Sequence, residues 1–558
     1  MSFVANVLKR WANEPERTVL CAAQEGNLRQ ITARELLQEV TRVRRHLREA
    51  GLRAGDRCAL VAANSPAWVA ADVAMMAEGI VSVPLYSRQT PAELIFALQD
   101  ASPSLILADE SSAQALRAAW PVSPPIVSLE ECAQGATAGA PASAQASASA
   151  QASPPPVVLA PEHPVTIRYT SGTSGLPKGA ILTCGNVDHM LFCTSQRLDL
   201  ALQGIFEQER IFHYLPFCFA GSWILLWTAL SRGALLTMSA DPSRIAQDLA
   251  ATRPHTFLNV PLLLERIRAQ IEEKVRVRGG AFARLFEAAF AASRSRADGQ
   301  SRTSGAIALA LARTILFPSI RAKLGTDLRM LICGSAPLSR DTQIFFAMLG
   351  IPVLQVYGLT ETTAICTMDH PQHVAPGRVG KAIAGVEMKV SEDGEILVRG
   401  PNVFPGYWNR PEADAAIFAQ GWLRTGDRGE VDDQGRWKIT GRMKSVLVLS
   451  SGHNVAPEPL EDAIRAAIPH ARAAVVVGHG RPHIAAFLTG GVSREDAQRA
   501  LSSLNESLPH YQRIHSFALL PEDAIESACF TANGKLRREA VAERLAEQIE
   551  TLYSGAVA

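Results

Sequence analysis

Long apolar runs are missing from this sequence. No uninterrupted stretch of about 18 apolar residues occurs, which argues against a membrane-spanning helix. The nearest approach is AIALALARTILFPSI at 306–320, broken by Arg313 and closed by Pro318. A buried helix is expected there, with a surface helix that touches lipid as the alternative. The opening MSFVANVLKRWANEPERTVL lacks the apolar centre and cleavage site of a secretory signal. Cysteine is sparse. Nine are scattered with no C-x-x-C pair and no metal-ligand spacing, so they read as reduced thiols of a cytoplasmic protein. Neither sign of charge is in excess. A formal net charge of +1 offers no electrostatic case for nucleic acid. What is present is ordinary globular material: 558 residues, 47% hydrophobic and 20% charged, long enough for more than one core.

Residues 31–50, ITARELLQEVTRVRRHLREA, place apolar positions at helical spacing and stop at Gly51. CALVAANSPAWVAADVAMMAEGIVSVPL then alternates strand, helix and strand, and SLILAD at 104–109 adds another apolar run. This alternation predicts a parallel sheet with crossover helices. The Ala/Ser/Gln/Pro tract at 133–156 cannot bury a core and is expected to be a disordered surface loop. Residues 262–324 are expected to be mostly helical and are rich in Arg. LRMLICG, PVLQVYG, GEILVRG, GRWKIT and SVLVLSSG read as later strands. From about residue 445 a smaller unit with its own strands and helices begins.

The sharpest local signal is YTSGTSGLPKGA at 169–180. Glycine N–H groups and short hydroxyls make a nest for oxyanions. Yet Lys178 is followed by Gly179 and not by Ser or Thr, so the G-x-x-x-x-G-K-[ST] phosphate loop is not matched. Three further motifs follow in order: VYGLTETT at 356–363, GWLRTGDRGEVDDQGRWKITGR at 421–442 and NGKLRR at 533–538. Together with the first loop, they closely resemble the adenylate-forming superfamily of acyl-CoA synthetases, peptide-synthetase adenylation domains and luciferases. The resemblance runs from about residue 20 to 545.

The resemblance implies an α/β fold. A large N-terminal domain of sheets flanked by helices (1–440) would join, through a hinge at 441–444, a small mobile α+β domain (445–558). It also implies the site. Thr170, Ser171, Gly172, Thr173, Ser174, Gly175 and Lys178 would wrap the β- and γ-phosphates of ATP. Tyr357 would stack on adenine, lined on its other face by Gly334, Ser335, Ala336 and Pro337, with Gln355, Val356 and Gly358 alongside. Thr360 would meet the α-phosphate, and Glu361 with Thr170 would hold Mg²⁺. A hard cation suits one carboxylate plus oxygens and waters. Asp427 would accept the ribose hydroxyls, which a carboxylate can do in pairs, with Arg442 beside it. Lys535 would bridge the substrate carboxylate and the α-phosphate, Lys444 would sit at the hinge, and Gly452 would line the pantetheine path of CoA.

Three features resemble the long-chain fatty acyl-CoA synthetase branch: TFLNVPLLLERI at 256–267 with the helical stretch after it, GSAPLSRDTQIFF at 334–346, and LNESLPHYQRIHSFALL at 504–520. One feature departs from it. LPFCFAGSW at 215–223 puts Phe219 where that branch commonly has a histidine, beside an acyl pocket that would also include Gly334. The expected activity is fatty-acid–CoA ligation using ATP, Mg²⁺ and CoA. Activation of an acyl or aryl acid for a carrier protein or a biosynthetic pathway stays open, as do a homodimer and a peripheral membrane contact.

Overall fold

The structure is a computed structural model. It describes residues 3–554 except 25–26, 135–153, 171–176, 203–205, 240–243, 301–302, 444, 446, 452, 469, 526–528 and 530–535. The expected sites Ser171, Gly172, Thr173, Ser174, Gly175, Lys444, Gly452 and Lys535, and most of the tract 133–156, lie outside the described residues.

Local chemistry starts and stops the elements. Thr32 caps the helix Ala33–Glu49 in a reciprocal box with Glu35, and Ser65 caps Pro66–Ala77, whose first residue is proline. The strand–helix–strand reading is realised as Arg57–Val61, Pro66–Ala77 and Val81–Leu85, with the two strands parallel. They belong to a six-stranded sheet in the order Ile126–Ser128, Leu105–Ala108, Arg57–Val61, Val81–Leu85, Pro164–Thr170, Lys178–Thr183. The helix Pro66–Ala77 is buried along its whole length, so it shows no polar face and lies inside the main core.

A nine-stranded sheet carries the parallel neighbours Arg210–His213, Thr256–Asn259, Met330–Cys333 and Val353–Tyr357. The turns that follow the last two strands hold Gly334–Pro337 and Gly358–Glu361. Ligands of open α/β sheets sit at such carboxyl ends. A separate antiparallel sheet pairs Trp422–Val431 with Trp437–Arg442. The smaller C-terminal unit has a three-stranded sheet, Ala471–Val477, Ile484–Gly490 and Ile514–Leu520, with the helices Pro457–Ala467 and Arg494–Ser507. Its core is distinct and centres on Leu460, Ile464, Leu488 and Leu501. This is the expected α/β class with a large N-terminal part and a small α+β part.

Two expectations change. Among the described residues of the segment SVLVLSSG, only Leu447–Val448 is strand, paired with Asn454–Val455. The run 306–320 is not one buried helix. It is divided between Thr303–Ile315 and Phe317–Leu324, with Pro318 in the first turn of the second. The first of these helices packs by one side only, leaving Ile307 and Ile315 each 63% exposed. All nine cysteines are free thiols. Among the described residues no helix is long and apolar enough to cross a membrane.

Candidate active site

The strands Pro164–Thr170 and Lys178–Thr183 form an antiparallel hairpin in which Thr170 faces Lys178. The hairpin thus holds both ends of the glycine-rich loop. Thr170 Oγ1 donates to the Lys178 carbonyl at 3.5 Å, a long contact that leaves the hydroxyl ready to turn. Gly179 has no room for a side chain. A Cβ there would meet Ile167 Cγ2 at 2.6 Å and the Tyr169 ring at 3.1 Å. Tyr169 anchors the hairpin by donating to Asp100 Oδ2 at 2.7 Å.

A distant segment lies along the same edge. Trp408 N donates to the Gly179 carbonyl at 2.7 Å, and Ile181 N to the Gly406 carbonyl at 3.1 Å. Tyr407, between them, donates its hydroxyl to Glu361 Oε1 at 2.5 Å. Lys178 Nζ lies 5.4 Å from the centre of the Tyr407 ring, within cation–π range. Burial, and next the Glu361 charge, push the Tyr407 hydroxyl far above its ordinary range, so it keeps its proton and can donate it to Glu361. Glu361 sits in the short turn Thr360–Thr362, and its carbonyl accepts from Phe404 N at 2.9 Å.

The chain turns sharply around that carboxylate. A Cβ on Gly358 would lie 2.3 Å from the Ala364 carbonyl oxygen, so only glycine permits the close return. Thr363 and Ala364 have φ of 51° and 94°, an unfavourable left-handed pair. Asn402 compensates by donating to the Ile365 carbonyl at 3.0 Å, while Thr363 Oγ1 donates to the Asn402 carbonyl at 2.8 Å.

Across the turn, Asp427 and Arg442 are register partners on adjacent strands, and Arg442 Nε donates to Asp427 Oδ1 at 2.8 Å. Tyr357 donates its hydroxyl to Asp427 Oδ2, also at 2.8 Å. Burial first, then the Asp427 charge, raise the Tyr357 hydroxyl well above its usual range. The structure therefore brings Tyr357, Asp427 and Arg442 together, three residues drawn from two separate motifs. Gly334 packs under Val356, since a Cβ there would lie 2.6 Å from Val356 Cγ2. Ser335 is left-handed, with φ of 73°. Gln355 behaves differently from its neighbours. Its side chain is buried and donates to Gln343 and to the Arg378 carbonyl, each at 3.0 Å. Its backbone N–H meets Asp369, whose carboxyl burial pushes up to about 7.

Residues 7–408 match the model of the AMP-binding enzyme, and residues 444–557 match that of the AMP-binding enzyme C-terminal domain. The chain belongs to the AMP-binding enzyme family. The long-chain-fatty-acid–CoA ligase FadD15 of Mycobacterium bovis is 29% identical over 588 residues, covering 99% of this chain and 96% of its own. Among solved structures, the anthranilate CoA ligase AuaEII in complex with anthranoyl-AMP is similar with a TM-score of 0.75 at 19% identity, covering 100% of this chain and 98% of its own. The O-succinylbenzoate coenzyme A synthetase of Bacillus subtilis in complex with ATP and magnesium gives 0.71 at 23%, covering 96% and 99%.

The segment expected beside an acyl pocket is LPFCFAGSW at 215–223. Phe219 begins the helix Ala220–Arg232, and its ring lies 5.8 Å from that of Tyr86. The segment before it is pinned from two sides. Asn64 donates to the Leu215 carbonyl and accepts from Phe217 N, both at 2.8 Å. Arg168 Nη1 donates to the carbonyls of Phe217 and Cys218, again at 2.8 Å each. Arg168 is fully buried, stacks 4.1 Å from the centre of the Trp223 ring, and is pulled down to about 10 by that burial, with Asp72 opposing the shift. Asp72 in turn accepts from Trp223 and Trp227 Nε1 at 2.7 and 2.9 Å and from Ser82 at 3.1 Å. The strand that feeds the glycine loop thus also fixes the segment bearing Phe219.

Sequence reading did not single out Tyr407, Arg168 or Asp72. A tyrosine in PGYWNRPE carries no chemical signature until the fold sets it against Glu361. Tyr407→Phe keeps the ring and removes one hydrogen bond to a charged group, an interaction of about 1.5–3 kcal/mol. The magnesium concentration for half-maximal rate is expected to rise roughly tenfold in this variant, with KM for the acid unchanged. Magnesium titrations at fixed ATP check it, and an unchanged requirement would leave Tyr407 as packing only.

Proposed function

We propose that this AMP-binding enzyme activates a fatty acid with ATP and transfers the acyl group to CoA. The observation that carries the reading is the pair of clusters Glu361–Tyr407–Lys178 and Tyr357–Asp427–Arg442, linked by the short turn that runs from Tyr357 to Glu361. One cluster suits phosphates and the other a nucleoside. Thr170 and Glu361 fit Mg²⁺ in kind, since both offer hard oxygens. No group of three or more His, Cys, Asp or Glu is placed to hold a metal among the described residues. A cation here would lean on Glu361, Thr170, phosphate oxygens and water. When bound, it would neutralise charge on the phosphates.

In the first half-reaction a carboxylate oxygen of the acid attacks the α-phosphorus. A P–O bond forms, the bond to pyrophosphate breaks, and acyl-AMP results. In the second, the CoA sulfur attacks the acyl carbon as a thiolate, and the bond to AMP breaks. Asp427 would orient the ribose, while Lys178 and Thr360 would meet phosphate oxygens. Lys535 would offset repulsion between the two anions of the first step. Lys444 and Gly452 are proposed for the hinge and the pantetheine path, on resemblance alone. The enzyme is proposed to be cytoplasmic, with peripheral contact at a membrane.

A straight-chain acid gains about 0.8 kcal/mol per buried CH₂, close to fourfold in kcat/KM for each carbon. The expected optimum is about eight to sixteen carbons, extended by that climb until the tunnel ends. One observation favours an aryl acid instead: the Phe219 and Tyr86 rings, 5.8 Å apart and tilted by 38°, offer an aromatic surface. The test is kcat/KM across saturated acids beside benzoate and hydroxybenzoates, with CoA competed against carrier protein. Phe219→Ala should move the optimum to longer acids. A profile flat in chain length with aryl acids preferred would reject the fatty-acid reading and leave the adenylation chemistry standing.

A further inference from the structure

The helical stretch 261–324 is charged unlike the rest of the chain. It holds twelve Arg and Lys against five Asp and Glu, a formal +7, whereas the whole chain sums to +1, which leaves the remainder at −6. Within it, the helix Thr303–Ile315 lies on the helix Gly280–Ala297. Leu309 and Ala312 are buried in the core that also holds Phe286 and Ala289. The opposite side faces water and is almost wholly apolar. Ile307, Leu311 and Ile315 are 63%, 46% and 63% exposed. Their spacing of four stacks them into one stripe. From Ala306 to Ile315 the other exposed positions are Ala306, Ala310, Arg313 and Thr314, so Arg313 is the single charge on that face.

A surface helix ordinarily presents its charges there. A contiguous apolar patch on a soluble surface marks a contact. The unpaired charge of the stretch includes arginines. Arg284, Arg296 and Arg313 are exposed and enter no ion pair among the described residues, while Arg268, Arg276 and Arg294 of the same stretch are paired with acids.

We propose that this helix docks the protein on an anionic lipid bilayer, lying flat with its stripe in the acyl boundary and the arginines among the headgroups. A 13-residue helix is too short to span the membrane but suits the interfacial plane. Charge complementarity decides the occupant. An anionic leaflet attracts each arginine near its surface. A self-complementary interface between two copies would bring together two copies of a stretch that carries a formal +7. The contact does not depend on which acid the enzyme activates, so its failure and that of the fatty-acid reading are separable.

The experiment is co-sedimentation of the full chain with phosphatidylcholine vesicles, with and without added phosphatidylglycerol, beside sedimentation velocity without lipid. Binding to the anionic vesicles is expected to exceed binding to neutral ones by about tenfold and to weaken with salt. The triple change Ile307→Ser, Leu311→Ser, Ile315→Ser should lower anionic binding by about tenfold or more, because the apolar term is lost. Arg284→Gln with Arg296→Gln and Arg313→Gln should remove the preference for anionic lipid. Both variants should melt at the native temperature in lipid-free buffer, which reports folding whichever acid the enzyme activates. Three results would overturn the proposal: no binding of the native chain, equal binding by the triple serine variant, or a native dimer that this variant dissociates without any vesicle binding.

Discussion

Glu361→Gln is expected to slow acyl-AMP formation by roughly a hundredfold to a thousandfold, the scale set by removing one charged stabiliser worth ~2.7–4 kcal/mol. The change is nearly isosteric. Its amide oxygen can still accept from Tyr407, as Glu361 Oε1 does at 2.5 Å, and the backbone bond from Phe404 at 2.9 Å is untouched. What disappears is the negative charge that Tyr407 meets. A neutral amide binds a hard cation less well than a carboxylate. The magnesium dependence should therefore shift together with the rate, while the melting temperature stays near that of the native protein. Pyrophosphate exchange measured over a magnesium series reads the first quantity. Calorimetric titration of MgATP against ATP alone gives a second readout that needs no turnover. If the native rate and magnesium requirement survived the substitution, Glu361 would be removed from the metal site.

Much of this architecture is legible in the sequence because its signals are local. A short apolar run that ends in a glycine turn names both a strand and the mouth where ligands sit, and LRMLICG and PVLQVYG became Met330–Cys333 and Val353–Tyr357. The same locality explains what stayed hidden. Tyr407 reaches Glu361 only because the segment around it pairs with residues 179–181, and no spacing in the chain announces such a meeting. Arg168 looks out of place in the strand PVTIRYT. Asp72, whose charge opposes the shift of Arg168, comes from the helix Pro66–Ala77, and Trp223 covers the guanidinium from another helix. A lone arginine in an apolar strand is a signal that something buried must answer it, though not what. The helix Thr303–Ile315 escaped for a different reason. Apolar composition alone cannot separate a helix wrapped on all sides from one that is wrapped on one side and open on the other. Gln355 shows the reverse case. It sits within the stretch expected to bind the nucleotide, yet strand alternation turns its side chain into a buried amide network.

Lys535→Ala should abolish acyl-AMP formation, with a loss of roughly a hundredfold to a thousandfold or more, and should spare thioester formation from supplied acyl-AMP. The asymmetry is the point of the prediction. In the first step a carboxylate must approach a polyphosphate, so two anions meet and pentavalent charge grows at phosphorus. A cation placed between them both lowers the repulsion and stabilises that charge. In the second step the attacked atom is a neutral acyl carbon, and no pentavalent charge grows at phosphorus. The residues just after Lys535 limit the structural damage. Arg538 donates to Glu461 at 2.7 Å and reaches Glu458 at 3.3 Å, and Arg537 N donates to the Cys529 carbonyl at 2.7 Å. Removing the lysine side chain leaves all three contacts in place, so the local fold should persist. The two half-reactions are measured separately, by pyrophosphate exchange and by release of AMP from synthetic acyl-AMP with CoA. Equal loss in both, in a variant that melts like the native protein, would show that Lys535 does not act on the first step alone.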